Sequence, residues 1–181
     1  MITNMIKEYE SLRNEILQKI QLTNTLLNFA VTTAVAILAF AVESKNKNAL
    51  LFLVPFCVLI PISARIAYYR DSMAIISAYM NVFLEGKIEG FDWEARNVLL
   101  DEKYMNKKYD FFRNTECLFI GVVCTGLYFY YYIMYKQQIC KIIDVALPII
   151  FLSIEIFITF RRKSFVKERK KWISEWQKLK K

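Results

Sequence analysis

The stretch "VALPIIFLSIEIFITFRRKS" (Val145–Ser164) decides the fold. It is apolar from Val145 to Phe160 apart from Ser153, Glu155 and Thr159, and charge returns at Arg161. Taken from Ile142, the run approaches the roughly 20 residues that a helix needs to cross the hydrocarbon core of a bilayer. Leu26–Val42, Ala49–Tyr69 and Cys117–Tyr135 have the same character. Four such runs predict an all-α integral membrane four-helix bundle. Gly and Pro are scarce, at 4 and 3 residues, which favours long helices over loop-rich folds.

The composition fits this frame. Apolar residues make up 56% of the 181, above the roughly 45–50% of soluble domains. Charged residues still make up 23%, so the two classes must be segregated along the chain. The hairpin loops 43–48 and 136–141 hold only Lys45, Lys47, Lys136 and Lys141 of the 25 Lys and Arg residues. The other basic residues concentrate before the first run, between the second and third, and after the fourth. The positive-inside rule then places both termini in the cytoplasm. Tyr128–Tyr135, "YFYYYIMY", is expected to form an aromatic belt at the outer interface. An N-terminal signal peptide is disfavoured, because the first apolar run starts late and ends in "ESKNKN".

The expected organisation is a cytoplasmic amphipathic helix (1–24), a first transmembrane hairpin (25–69), a cytoplasmic helical region (70–114), a second transmembrane hairpin (115–160) and a basic cytoplasmic tail (161–181). Ile6, Tyr9, Leu12, Ile16 and Ile20 recur at helical spacing in the first segment. Met73, Ile76, Met80, Phe83 and Leu84 continue the second helix beyond its span, with Gly86 as its stop and Gly90 in the following turn. A new helix starts with Asp92 as N-cap and Val98 and Leu99 on its apolar face.

Chemistry-bearing residues are few. There is no His, no Gly-rich phosphate loop and no nucleophile elbow, so neither an enzyme nor a cofactor is expected. Cys57, Cys117 and Cys124 lie in apolar runs and read as small hydrophobes. Glu155 is the anomaly, because ionisable groups at membrane depth are costly and face a partner, a pore or water. Counting inward from Arg161 and from Tyr69, Glu155 and Arg65 lie at similar depth and are expected to pair. The pair can set helix register, act in a gate, or leave Glu155 as the carboxylate of a small transporter. Asn28 and Thr32 share a face of the first span, as a helix contact or as one wall of a pore. Pro55 and Pro61 are expected to interrupt the second span, and Pro148 the fourth. In the tail, Arg161, Arg162, Lys163, Lys170, Lys171, Trp172 and Trp176 combine bases with aromatics. Such a surface suits anionic lipid heads, or the phosphates and bases of a nucleotide ligand.

Two stretches carry a family resemblance. One is "EYESLRNEILQKIQLTNTLLNFAVTTAVAILAFAV"; the other runs from Leu50 through Ile76, Tyr79, Met80 and Gly90 to Trp93 and Glu94. Over about its first hundred residues the chain resembles small bacterial four-span membrane proteins similar to the transmembrane effectors of anti-phage systems, of Hailong or CBASS-like type. The resemblance implies a homo-oligomeric channel, a tetramer, in the bacterial inner membrane, shut at rest and opened during infection to depolarise the cell. It also implies a nucleotide or oligonucleotide signal from a partner nucleotidyltransferase, without a stable nucleic-acid complex. The rival reading is a non-conducting membrane scaffold or sensor that recruits a cytoplasmic partner.

Overall fold

The computed structural model describes residues 2–45, 48–85, 87–88, 90, 92–104, 115–135, 141–160 and 165–180. The protein is all-α, and among the described residues four helices are long and apolar enough to cross a membrane. Helix α1 runs unbroken over Ile2–Glu43, 42 residues. No Gly or Pro interrupts it, so nothing removes a backbone bond along its length. At about 1.5 Å per residue it is about 63 Å long, twice the roughly 30 Å of a hydrocarbon core.

The second apolar run is not one helix. It opens with a 3-10 turn, Ala49–Leu53, capped by Asn48, whose side chain accepts the Leu50 N–H at 3.0 Å. Helix α2 then spans Phe56–Tyr79. Pro55 therefore stands where the run is interrupted, as expected, at a helix entrance where its missing N–H costs nothing. Pro61 does lie inside α2. A π-helical turn, Met80–Leu84, ends the segment, closed by a bond from the Glu85 N–H to the Met80 carbonyl at 2.9 Å. Gly90 has φ +85° and makes the following turn, where only glycine is unstrained. The expected stop at Gly86 lies outside the described residues. Helices α3 (Trp93–Tyr104), α4 (Glu116–Met134), α5 (Lys141–Phe160) and α6 (Phe165–Leu179) follow among the described residues. Pro148 lies inside α5.

The chain divides into two compact units: Met1–Asn24, Ala67–Phe111 and Lys163–Lys181 form the first, and Thr25–Ile66 and Phe112–Arg162 the second. Both α1 and α2 run through the boundary.

The second unit packs around two clusters. One joins Ala41, Phe52, Phe56, Cys124 and Tyr128; the other joins Ala30, Leu59, Ile62, Ile66 and Cys117. Helix α4 turns Cys117, Gly121, Cys124 and Thr125 inward, and these small side chains let neighbouring helices approach closely. Tyr128 leaves the expected belt: it is buried, and its hydroxyl donates to the Asp144 carbonyl at 2.8 Å.

The first unit is held by Tyr9, Ile16, Met73, Met80 and Leu84, with Leu12, Ile76, Tyr79 and Phe165 packed against them. These are largely the residues whose helical spacing marks an apolar stripe. Helix α3 departs from expectation. Leu99 is exposed and Val98 only half-buried, while the residue turned fully inward is Glu94.

Candidate functional site

Chemistry concentrates in three places. The first surrounds Glu155. Helix α5 turns Asp144, Pro148, Glu155 and Thr159 inward and keeps Ile149, Ile150, Ile156 and Phe157 outside. This is the arrangement hydrocarbon demands, with polar groups hidden and apolar ones facing lipid. Glu155 is fully buried, and the Ser63 hydroxyl donates a short hydrogen bond to its Oε1. The chain makes room with Gly121. A Cβ there would stand 3.1 Å from Cε1 of Phe56 and 3.8 Å from Cγ of Glu155.

Ser63 is thus a partner of Glu155 that depth alone does not single out. Arg65, two residues further along α2, is exposed.

The second place is the outer face of α1. Asn28 and Thr32 are both exposed. The Thr32 hydroxyl donates back to the carbonyls of Asn28 at 2.9 Å and Phe29 at 3.1 Å. Ala30, Ala34 and Ala41, all fully buried, press the opposite side against the second unit. Ala30 is about 200° and Ala34 about 240° around the helix from Asn28. Where α5 hides its polar stripe, α1 turns its own away from the bundle.

The third place is a buried polar hub in the first unit. Glu94 is 3% exposed and gathers three partners. Arg13 Nη1 donates to its Oε1 at 3.2 Å, Arg169 Nη1 to its Oε2 at 3.4 Å, and the Ser77 hydroxyl to its Oε2 at 2.6 Å. These come from α1, α6 and α2, so one carboxylate on α3 ties together four helices described in the unit. Arg169 is itself only 1% exposed and lies 5.6 Å from the Phe165 ring. Arg13 stacks over Trp93 at 5.4 Å.

Beside the hub, Glu85 accepts the backbone N–H groups of Glu94 and Ala95 at 2.7 and 2.8 Å. These are orphan donors at the start of α3, which a helix normally satisfies with its own N-cap side chain. Asp92 was expected to fill that role; a carboxylate from the preceding turn takes it instead. Tyr9 adds a longer bond to Glu85, its hydroxyl donating at 3.4 Å. Burial pushes the Glu85 carboxyl above the ordinary carboxylate range, with the two N–H donors pulling the other way and the nearby Glu94 charge reinforcing the rise.

The tail residues separate. Arg161, Arg162 and Lys163 lie outside the described residues. Lys170 and Lys171 are exposed, and Lys171 reaches over Trp172 at 5.2 Å. Trp176 turns inward, its ring 5.6 Å from Tyr79 and 5.9 Å from Phe83. It is thus packing, whereas its spacing from Trp172 had suggested a shared interfacial face. The Lys180 ammonium donates to the Val82 carbonyl at 2.9 Å, within the π-helical turn.

Sequence reasoning missed the hub. Phe165, Arg169, Trp172 and Trp176 recur at steps of four, three and four, so Arg169 stands on the inward face of α6 by spacing alone. Among the described residues no group of three or more His, Cys, Asp or Glu is placed to hold a metal ion.

Comparison with protein-family models, curated proteins and solved structures finds no match to the chain.

Proposed function

We propose that this multi-span membrane protein is one subunit of a homo-oligomeric, gated ion channel whose conducting path is lined by the outer face of α1. The observation that supports the reading is the orientation of Asn28 and Thr32. They lie on the exposed side of an otherwise apolar span, opposite the alanines that seat it on its own bundle. An amide in contact with lipid tails is unfavourable. A ring of identical subunits removes that contact by turning the face toward a shared axis, where it meets water. Membrane oligomers of one chain are usually closed and symmetric, so a central path follows from the assembly itself. The tetrameric count, the inner-membrane location and the role as an anti-phage effector answering a nucleotide signal rest on the resemblance of the first hundred residues.

Purified protein reconstituted in planar bilayers tests the reading. Discrete conductance is expected, and Asn28→Leu together with Thr32→Val lowers it several-fold at unchanged protein density. If no conductance appears under any activating condition, or if the double variant conducts as well as the parent, the path does not run along this face.

A second reading has an observation of its own. Helix α3 exposes Trp93, Leu99 and Leu100 at 58%, 65% and 57%. Such a surface suits a recruited soluble partner. A stable partner in pull-downs, with membrane potential unaffected by overexpression, favours this scaffold over the channel.

A further inference from the structure

We infer that the outer face of α6 is a docking surface for anionic lipid headgroups, made by Lys167, Lys170, Lys171 and Lys178. This surface belongs to the first unit alone and needs no conducting path.

Helix α6 is divided by azimuth. Phe165, Arg169 and Trp176 face the unit: Phe165 packs against its core, Arg169 meets Glu94, and Trp176 meets Tyr79 and Phe83. Lys167, Lys171, Ser174 and Lys178 recur at steps of four, three and four on the other side, about 120–180° away, and all are exposed. Lys170 is exposed beside this line. From Lys167 to Lys178 the line is about 16 Å long. Glu168 and Glu175 stand at its edge, partly buried, and touch Lys171 at 3.8 Å and Lys178 at 2.8 Å. Such surface pairs contribute little and do not hold the ammonium groups back from a stronger field. The other helices described in the unit mix their exposed charges or carry the opposite one. On α1, Lys7 is exposed beside Glu8, Glu10 and Glu15; α2 exposes Asp71; on α3, Arg96 pairs with Asp92 at 3.6 Å.

Charge and chemistry select lipid as the occupant. Residues 161–164 are all that separates α6 from the last span, so the chain tethers the line near the bilayer, an advantage that a soluble anion lacks. The basic residues of the chain concentrate on one side of its spans, and the positive-inside rule makes that the leaflet with a negative surface potential. Lysines are compact point charges that meet phosphate and carboxylate headgroups without a shaped pocket. A nucleotide asks for more, because its bases need aromatic faces to stack on. The lysine line carries no aromatic residue, and Trp176, which could have supplied one, is turned into the unit.

Protection of the lysines tests the surface. The full chain is placed in nanodiscs of phosphatidylcholine, with or without phosphatidylserine, and exposed briefly to an amine-acetylating reagent. Mass spectrometry then reads each lysine. Acetylation at Lys167, Lys170, Lys171 and Lys178 is expected to slow about fivefold or more with phosphatidylserine, and to recover at about 1 M salt. Lys7 and Lys87 are exposed elsewhere in the unit and change by less than about twofold. No slowing at the α6 lysines, or equal slowing at Lys7 and Lys87, overturns the inference. Phosphatidylcholine discs with added ATP form a second arm. Protection by ATP equal to that by phosphatidylserine assigns the line to soluble phosphates and overturns the lipid assignment. A variant carrying Lys167→Gln, Lys170→Gln, Lys171→Gln and Lys178→Gln gives a further readout. Its thermal midpoint in phosphatidylcholine matches the parent, and it loses the rise that phosphatidylserine gives the parent. A rise that survives in the variant also overturns the inference.

Discussion

Replacing Glu94 by Gln removes a buried negative charge from the hub of the first unit and changes almost no volume. Arg169, 1% exposed, then keeps a buried guanidinium opposite a neutral amide. The amide oxygen can accept from one arginine, while the NH2 group faces the remaining donors, Ser77 among them. Breaking one partner of a buried pair costs about 3–5 kcal/mol, chiefly because the other charge is left uncompensated. Arg13 contributes little to this loss, since its side chain is 35% exposed and water can take over. At the lower bound, about 3 kcal/mol, the folded-to-unfolded ratio of the unit falls about 150-fold. For a domain of about 60–100 residues that lowers the thermal midpoint by about 12–24 °C. The assay reads this unit alone, because the chain's 3 tryptophans, Trp93, Trp172 and Trp176, all belong to it. Indole emission followed through a thermal ramp in detergent gives the midpoint. A second variant fixes the cause: Glu94→Leu with Arg169→Met removes both charges and recovers most of the loss. A Glu94→Gln midpoint within about 3 °C of the parent refutes the reasoning, as does a double variant that is worse than the single.

Three further outcomes follow from particular contacts. Ser63→Ala leaves buried Glu155 without its hydroxyl donor and destabilises the second unit by about 1–3 kcal/mol, whereas Ser63→Thr keeps the donor and most of the stability; thermal unfolding in detergent distinguishes them. Gly121→Leu drives a side chain into the Phe56 ring, which a bare Cβ would already approach to 3.1 Å, and costs about 1–3 kcal/mol in the same assay. Glu85, with its carboxyl raised by burial, makes the folded first unit bind more protons than the unfolded chain, from the ordinary carboxylate value up to the raised one. Its stabilising contribution is present below that window and is lost as pH rises through it, so indole-monitored stability declines across mildly acidic pH and Glu85→Gln flattens the decline.

Hydrocarbon made the architecture legible. A span must be long and apolar, and Leu26–Val42, Cys117–Tyr135 and Ile142–Phe160 have little else to be. The stripe through Tyr9, Leu12 and Ile16 was equally open to reading, since a helix buries one face at fixed spacing. Contacts between distant segments were not open in this way. Glu94 meets Arg13 across 81 residues and Arg169 across 75, and no local period encodes which carboxylate finds which guanidinium. Glu85 capping α3 escaped for a related reason, because capping patterns look to the residue beside the helix and not to one from an earlier turn. Ser63, which meets Glu155, escaped because it is a small hydroxyl that any membrane helix can carry. Depth in a bilayer follows from counting residues, but azimuth depends on which side the neighbours occupy.

That same azimuth constrains how the chain can change length. One residue added to α1 between Ala34 and Ala41 turns everything beyond it by about 100° and advances it by about 1.5 Å. Ala41 would then be carried away from the bundle that Ala30 and Ala34 still meet, although no side chain had been altered. Three or four added residues nearly restore the heading, and seven restore it more closely still. Insertions and deletions in this helix are therefore sorted by their remainder on division by its turn, and a single-residue change is more disruptive than a full heptad.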